Sequence, residues 1–215
     1  MSVVFDNMHY FVAGLSLTLQ LTLISGVIAL LAGLVVTTMR VSPVPAFRGA
    51  AMVYVEIVRN TPITIVFFFA AFVLPQIGVR LPYFTFAIIA LSVYYTAFFA
   101  EALRSGFNSV AVGQAEAARS IGLTFSGVLS LVVLPQALRS SVPPLINVVI
   151  ALVKSTAVAS AFGVPELLTQ MEHLANAESN AVLMILAATA CIYLLITIPA
   201  GILATHIERK VAFAR

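Results

Sequence analysis

The sequence predicts an all-α membrane protein with five transmembrane helices, its N-terminus outside the cell and its C-terminus inside. Of its 215 residues, 61% are hydrophobic and only 9% are charged, whereas a soluble domain carries about 25% charged residues. Five apolar stretches are each long enough to cross a hydrocarbon core of about 30 Å, which takes about 20 helical residues. The cations between these stretches lie almost entirely on one side. The whole chain, residues 1–215, is therefore interpreted as a single transmembrane domain.

The apolar stretches differ in how clearly they predict a span. The second stretch begins with an amphiphilic part and becomes strongly apolar only after Pro62. An interior proline removes a backbone donor, so we expect the helices to be kinked at Pro62 and at Pro199. The predicted spans cover about residues 11–39, 49–74, 83–103, 142–162 and 181–206.

The orientation follows from the distribution of Lys and Arg. Nine cations fall on one side of the five spans and only Arg80 on the other, while Lys154 lies within the fourth span. Because Lys and Arg concentrate in cytoplasmic loops, the side with nine cations is predicted to be cytoplasmic. These nine are Arg40, Arg48, Arg59, Arg104, Arg119, Arg139, Arg209, Lys210 and Arg215.

The longest cytoplasmic connection, residues 104–141, is too long for a simple turn and is the most polar part of the chain. Within it, the alanines around Glu116 favour a short helix, and Gly122 is suited to ending that helix at a left-handed position. Small side chains would leave a low surface, from which Glu116 could meet a cation on a partner protein. Considered alone, an alanine-rich helix at the membrane interface with no docking role accounts for these residues equally well.

The wider spacing favours the docking interpretation. Glu116-Ala117-Ala118 is followed by Gly122, Val132 and Leu134-Pro135. This pattern resembles the EAA signature of importer permeases of the ATP-binding-cassette (ABC) class, although Val132 stands where isoleucine is commoner. The resemblance implies the type I ABC importer permease fold, with a coupling helix between the third and fourth spans that docks on an ATPase. The implied coupling residues are Gly113, Gln114, Glu116, Ala117, Ala118, Arg119, Gly122, Leu134 and Pro135.

Further strings between residues 40 and 168 resemble polar amino-acid permeases of the histidine, glutamine, glutamate and arginine uptake family. They include Arg59-Asn60-Thr61-Pro62, Lys154-Ser155-Thr156 and Gly163-Val164-Pro165-Glu166-Leu167. Together with Thr38-Met39-Arg40-Val41-Ser42-Pro43, they are most like the glutamate permeases of actinobacteria. The resemblance implies a subunit of the bacterial plasma membrane that carries glutamate, or else glutamine or aspartate.

The same resemblance implies the partners and cofactors. Two copies of an ATPase subunit would bind ATP and Mg, an extracytoplasmic binding protein would deliver the amino acid, and a second permease would complete the path. A related heterodimer is expected, with a homodimer as the alternative. The sequence has no GxxxxGK[ST] phosphate loop, so hydrolysis by this chain is not expected. No catalytic residue, cofactor, metal site or nucleic-acid partner is predicted.

Three charged residues fall within or beside the predicted spans, where charge is costly and usually faces the bundle interior or an aqueous path. Arg59 or Lys154 is predicted to meet a substrate carboxylate near mid-membrane, as part of a candidate set that also includes Glu101. The alternative is that Arg59 or Lys154 pairs with Glu101 and only holds helices together. Hydrogen bonds to the substrate are expected from Asn60, Thr61, Ser155 and Thr156.

Two questions remain open at this level. The outer-loop residues Glu166, Glu172, Asn176 and Glu178 either face a docking binding protein or form a solvated loop, and the solvated interpretation is favoured. A small carrier or channel driven by an ion gradient would explain Lys154 and Glu101 as an ion relay. It would not explain the spaced Glu-Ala-Ala pattern or the long inward connection.

Overall fold

The computed structural model describes residues 2–212 and folds them into a bundle of helices; Arg215, one of the nine cations above, lies outside these residues. The long spans are continuous because their apolar runs satisfy all backbone hydrogen bonds internally, as a lipid environment requires. A single 3₁₀ turn, Ser179–Ala181, directly precedes the last helix. The helices are α1 (Ser2–Asp6), α2 (Met8–Val41), α3 (Pro45–Asn60), α4 (Ile63–Gln76), α5 (Tyr83–Asn108), α6 (Val112–Ser120), α7 (Phe125–Phe162), α8 (Leu167–Ala177) and α9 (Val182–Ala212).

Within the described residues, four helical stretches, α2, α5, α7 and Ser179–Lys210, are each long and apolar enough to span a membrane alone. The predicted second span is instead a pair of helices, α3 and α4, which meet at an angle of 103°. The bend lies at Thr61 and Pro62, both of which have extended backbone angles. Because proline disfavours helical geometry in the residue before it, the predicted kink is a complete break. Counting this bent pair as one span confirms five.

The predicted fourth span begins much earlier than expected. Helix α7 starts at Phe125 rather than near Val142, so most of the connection 104–141 is helical. A π-helical stretch, Val128–Val133, lies just before Pro135, and a similar stretch precedes Pro75 in α4. A wider π turn accommodates a proline that has no N–H and would crowd the preceding turn. Helix α9 also continues through Pro199.

Helix α5 lies at the centre of the bundle, with α2 and α7 packed closely against it. A side chain at Gly33 of α2 would place its Cβ 2.9 Å from Cβ of Phe99, and one at Gly106 would place it 1.8 Å from Ser141 Oγ. Lipid supplies no hydrophobic force between helices, so small residues that permit close backbone approach take its place. These contacts hold the three helices in register.

Successive spans run in opposite directions, as a five-span topology requires. The C-terminal ends of α2 and α5 lie together, since Arg40 contacts Glu101, and we call this the arginine end. At the opposite end, Glu166 contacts Thr18 of α2 and Tyr193 of α9, and we call this the Glu166 end. Assignment of the arginine end to the cytoplasm remains a prediction.

Candidate functional site

The helix predicted around Glu116 is present as α6. It ends after Ser120, and Gly122 has φ +92°, the left-handed geometry that a glycine adopts without strain. The Gly122 N–H donates to the Arg119 carbonyl at 2.9 Å, and the Leu123 N–H donates to the Ala118 carbonyl at 3.2 Å. This pair of bonds is a Schellman motif, which satisfies the last carbonyls of a helix. The predicted role of Gly122 as the helix terminator is confirmed.

Helix α6 presents a polar face to its surroundings. It rests on the π-helical start of α7 and buries Ala118. Three apolar side chains are largely exposed here: Val112 (73%) and Ile121 (80%) at the two ends of α6, and Phe125 (70%) at the start of α7. Such a patch beside a free carboxylate is suited to a protein partner. The predicted coupling residues that are exposed are Gly113, Gln114, Glu116, Ala117, Arg119 and Gly122, together with Leu134 and Pro135 at the following π-to-α junction.

At the arginine end, the Glu101 carboxylate joins three helices. Arg40 Nη1 of α2 lies 2.6 Å from it, Arg59 Nη1 of α3 lies 3.6 Å from it, and Arg104 on the next turn of α5 pairs with it as well. The Arg59 guanidinium also lies 5.7 Å from the centre of the Phe98 ring. One carboxylate among three guanidinium groups leaves a net charge of +2 in this cluster. This geometry is that of the alternative in which Glu101 and Arg59 hold helices together.

The remaining substrate candidates of α3 lie at the break before α4. Asn60 Nδ2 donates to the Glu56 carbonyl at 2.7 Å, and Thr61 Oγ1 donates to the Ile57 carbonyl at 2.8 Å. Both are exposed or half-buried, and so is Arg59. At about 100° per residue, Arg59 and Asn60 share one side of α3 with Glu56. This side of α3 therefore presents polar side chains next to the extended backbone of Thr61 and Pro62.

The other candidates lie in α7, where the α-helix changes to a 3₁₀ segment, Thr156–Phe162. Lys154 is exposed, and no carboxylate among residues 2–212 pairs with it. Ser155 Oγ lies 2.6 Å from the Tyr95 hydroxyl, and Thr156 is buried. Within the described chain, no hydrogen bond or ion pair joins this group to the arginine cluster. A single subunit therefore presents two separate polar regions.

Comparison with known proteins identifies the family. Residues 11–213 match the family described as the binding-protein-dependent transport system inner membrane component. The chain belongs to this family. It is therefore a membrane-embedded transport permease, and the resemblance inferred from its motifs is confirmed.

Two relatives with 34–38% sequence identity are also described as transport permeases. The permease is 38% identical over 207 residues to the glutamate transport system permease protein GluC of Corynebacterium efficiens, covering 91% of each chain. It is 34% identical over 209 residues to a probable glutamine ABC transporter permease protein, GlnM, of Bacillus subtilis, covering 97% of this chain and 96% of the relative.

A solved structure supports the fold. The permease superimposes on a chain in the crystal structure of an amino-acid ABC transporter with histidines with a TM-score of 0.90, at 30% identity and over 96% of each chain. A methionine ABC transporter in an inward-facing conformation, 21% identical, matches in fold with a TM-score of 0.72. The predicted type I importer permease fold is confirmed.

The permease also contains a polar centre that the sequence interpretation missed. Glu166, which was interpreted as part of a solvated loop, is fully buried, so that interpretation is wrong for this residue. Its carboxylate accepts hydrogen bonds from the Thr169 N–H at 3.0 Å and the Tyr193 hydroxyl at 3.1 Å. Burial raises the pKa of the Glu166 carboxyl, while backbone N–H groups at the start of α8 partly oppose the shift.

One signal in the sequence could have indicated this burial. Leu167, Met171 and Leu174 recur at helical spacing directly after Glu166 and are all buried in α8, a pattern that indicates a helix packed on the bundle. The exposed residues Glu172 and Asn176 lie on its outer face, and the exposed Glu178 directly follows the helix.

Replacing Glu101 with Gln is expected to lower the free energy of unfolding by about 2 kcal/mol, because three arginines would lose their shared anion in a partly buried site. The matched control is Glu172→Gln, since Glu172 is exposed on α8 at the opposite end of the bundle and makes none of these ion pairs. Thermal unfolding of the two variants in the same detergent measures the difference. Equal stability of the two variants would contradict the role given to the cluster.

Proposed function

We propose that this permease forms the translocation path of an ATP-driven importer for polar amino acids, with glutamate the preferred substrate and glutamine or aspartate as the alternatives. The observation that carries the proposal is the exposed face of α6, with Glu116 at its centre, in a chain that belongs to a binding-protein-dependent transport family. The relatives described as glutamate and glutamine permeases support the choice of substrate.

The α6 surface supports a separate ATPase as the partner. The helix packs on α7 through the buried Ala118, and its C-terminal end is capped at Gly122. It can therefore transmit a displacement of the ATPase without unwinding. Its exposed side joins a carboxylate to the apolar side chains Val112 and Ile121, a combination that suits a cleft with a cation at its base. On this proposal, residues 104–141 form the cytoplasmic coupling region, and the partner ATPase binds ATP and Mg.

The charge of Lys154 supports the proposal that the substrate carries an anionic group. An ammonium group within a span is costly unless it meets an anion or water, and none of the described carboxylates of this chain pairs with Lys154. A substrate carboxylate would supply the missing charge, while the neighbouring Ser155 hydroxyl would add a hydrogen bond. Asn60 and Thr61 are assigned a second contact region beside the break between α3 and α4, whereas Arg59 is taken up by its ion pair with Glu101.

The transport mechanism is alternating access. The amino acid, delivered by a binding protein at the Glu166 end, enters a path completed by a second permease, either related or identical. Closure of two ATPase subunits is transmitted through α6 at the arginine end, which faces the cytoplasm. The 103° bend at Thr61-Pro62 and the 3₁₀ segment after Ser155 are the interruptions near the proposed substrate residues. Broken helices of this kind expose backbone groups that can bind a substrate.

The complex reconstituted with its ATPase and binding protein is expected to hydrolyse ATP faster in the presence of glutamate than in that of arginine or histidine. Hydrolysis and uptake are measured in vesicles over the twenty amino acids, with glutamine and aspartate as the closest competitors. Uptake that proceeds without the ATPase, driven by an ion gradient alone, would contradict the proposed function. Equal stimulation by basic amino acids would contradict the choice of glutamate.

Replacing Glu116 with Lys is expected to weaken ATPase association at least tenfold, because the new ammonium group would oppose the cation expected in the partner cleft. The control is Glu172→Lys, since Glu172 is equally exposed but lies on α8 at the opposite end. Co-purification from membranes, followed by titration in detergent, measures the association. Wild-type binding by Glu116→Lys would place the ATPase elsewhere on the permease.

Replacing Lys154 with Met is expected to abolish uptake while leaving ATPase association intact, since Met keeps the length of the side chain and removes its charge. The control is Lys210→Met, an exposed lysine in the last turn of α9 that is not among the proposed substrate residues. Uptake of labelled glutamate and co-purification of the ATPase are measured on the same preparations. Unchanged uptake by Lys154→Met would remove Lys154 from the substrate site.

A further inference from the structure

Glu166 is a buried carboxylate to which the proposed function assigns no role. It caps the N-terminus of α8, and donors from three helices meet on its two oxygens: Thr18 of α2 at 3.4 Å, Tyr193 of α9 at 3.1 Å and the Thr169 N–H of α8 at 3.0 Å. Among residues 2–212, no Lys, Arg or His nitrogen lies within 4.0 Å of it. Hydroxyl and amide donors alone therefore compensate its burial.

The same region fixes α8 tightly to α2 and α9. The Leu167 N–H donates to Thr18 Oγ1 at 3.2 Å, so Thr18 bonds to two successive residues at the start of α8. A side chain at Gly14 would place its Cβ only 2.8 Å from Leu167 Cα. Below this contact, Leu167 packs in an apolar cluster with Phe11 and Ile185. Helix α8 is thus held by α2 and α9 at this end of the bundle.

A short, irregular segment connects this fixed helix to the proposed substrate residues of α7. Directly after Ser155 the chain forms the 3₁₀ helix Thr156–Phe162, and Gly163 then turns it with φ +78°. The 3₁₀ geometry has weaker hydrogen bonds than an α-helix and often marks a hinge. Phe162 stacks on Phe67 of α4 at 5.2 Å, so the segment is held by α4 before the turn and by Glu166 after it.

We propose that Glu166 is a positioning residue for transport: it holds α8 on α2 and α9, and through the Gly163 turn it fixes the placement of Lys154, Ser155 and Thr156. This inference rests on the proposed function, which assigns Lys154 and Ser155 to the substrate. When the carboxylate loses its donors, the start of α8 is no longer fixed in one position on α2 and α9, and the end of α7 loses its outer support. The permease then hydrolyses ATP through its partner without moving the amino acid efficiently.

The test compares variants that remove the donors with matched variants that leave them in place. Tyr193→Phe and Thr18→Val each remove one hydroxyl donor, and Glu166→Gln removes the charge at constant size. The matched controls are Tyr10→Phe, a tyrosine packed against the same apolar cluster, and Thr22→Val, one turn along α2, whose hydroxyl bonds only within its own helix. Uptake, ATP hydrolysis and ATPase association are measured on the complete complex in vesicles.

The amino acid transported per ATP hydrolysed is expected to fall about tenfold in Tyr193→Phe, Thr18→Val and Glu166→Gln, as misplacement of binding groups would cause, while hydrolysis and ATPase association stay within twofold of wild type. Because Tyr193 and Thr18 act through one carboxylate, the variant that combines Tyr193→Phe with Thr18→Val is expected to lose no more transport per ATP than Glu166→Gln.

Three results would overturn the inference: wild-type transport per ATP in Tyr193→Phe and Thr18→Val, equal losses in the controls, or a parallel fall of hydrolysis and transport, which indicates a merely structural role. A wild-type complex that shows no amino-acid-stimulated hydrolysis would instead overturn the proposed function, and this inference with it.

Discussion

The structure depends on the close packing of α5 against α2 and α7 through small residues. Within a bilayer, apolar side chains gain little by leaving lipid for one another, so backbone proximity and polar contacts determine which helices associate. Gly33 and Gly106 permit that proximity on two sides of α5. Thr37 then bonds the Ala100 carbonyl across the α2 contact at 3.2 Å.

The charges near the spans illustrate three ways to meet the same constraint, since an isolated charge in lipid is costly. Glu101 is surrounded by arginines at the end of the bundle, so its carboxylate joins helices while an excess of positive charge remains there. Glu166 is buried against hydroxyl and amide donors with no cation. Lys154 has neither kind of partner in the described chain, which is why an external anion is the natural partner for it.

Much of this architecture could be predicted, because apolar run length and cation placement are local properties of the sequence. The five spans and the helix at Glu116 follow from length, composition and the glycine at position 122. The early start of α7 could not be predicted, since Pro135 argues against helix unless a π turn accommodates it. The burial of Glu166 was also missed, because a glutamate in an outer loop is ordinarily solvated and its partners lie far away in sequence, at Thr18 and Tyr193. Pairing of Arg59 with Glu101 was one of two open alternatives, and the contributions of Arg40 and Arg104 were not predicted.

Two interruptions of the helical backbone lie next to the residues that the proposed function assigns to the substrate, where a conformational change is required. A continuous apolar helix satisfies its own backbone groups and resists bending in lipid, so conformational change is easiest where that regularity is already broken. The break at Thr61-Pro62 follows Arg59 directly, and the 3₁₀ segment follows Ser155 directly. Phe162 and Phe67 stack between them, which links the two interruptions through side chains. On the proposed function, a displacement of α6 at the arginine end would reach both polar regions through α7 and through the contact of Phe162 with α4.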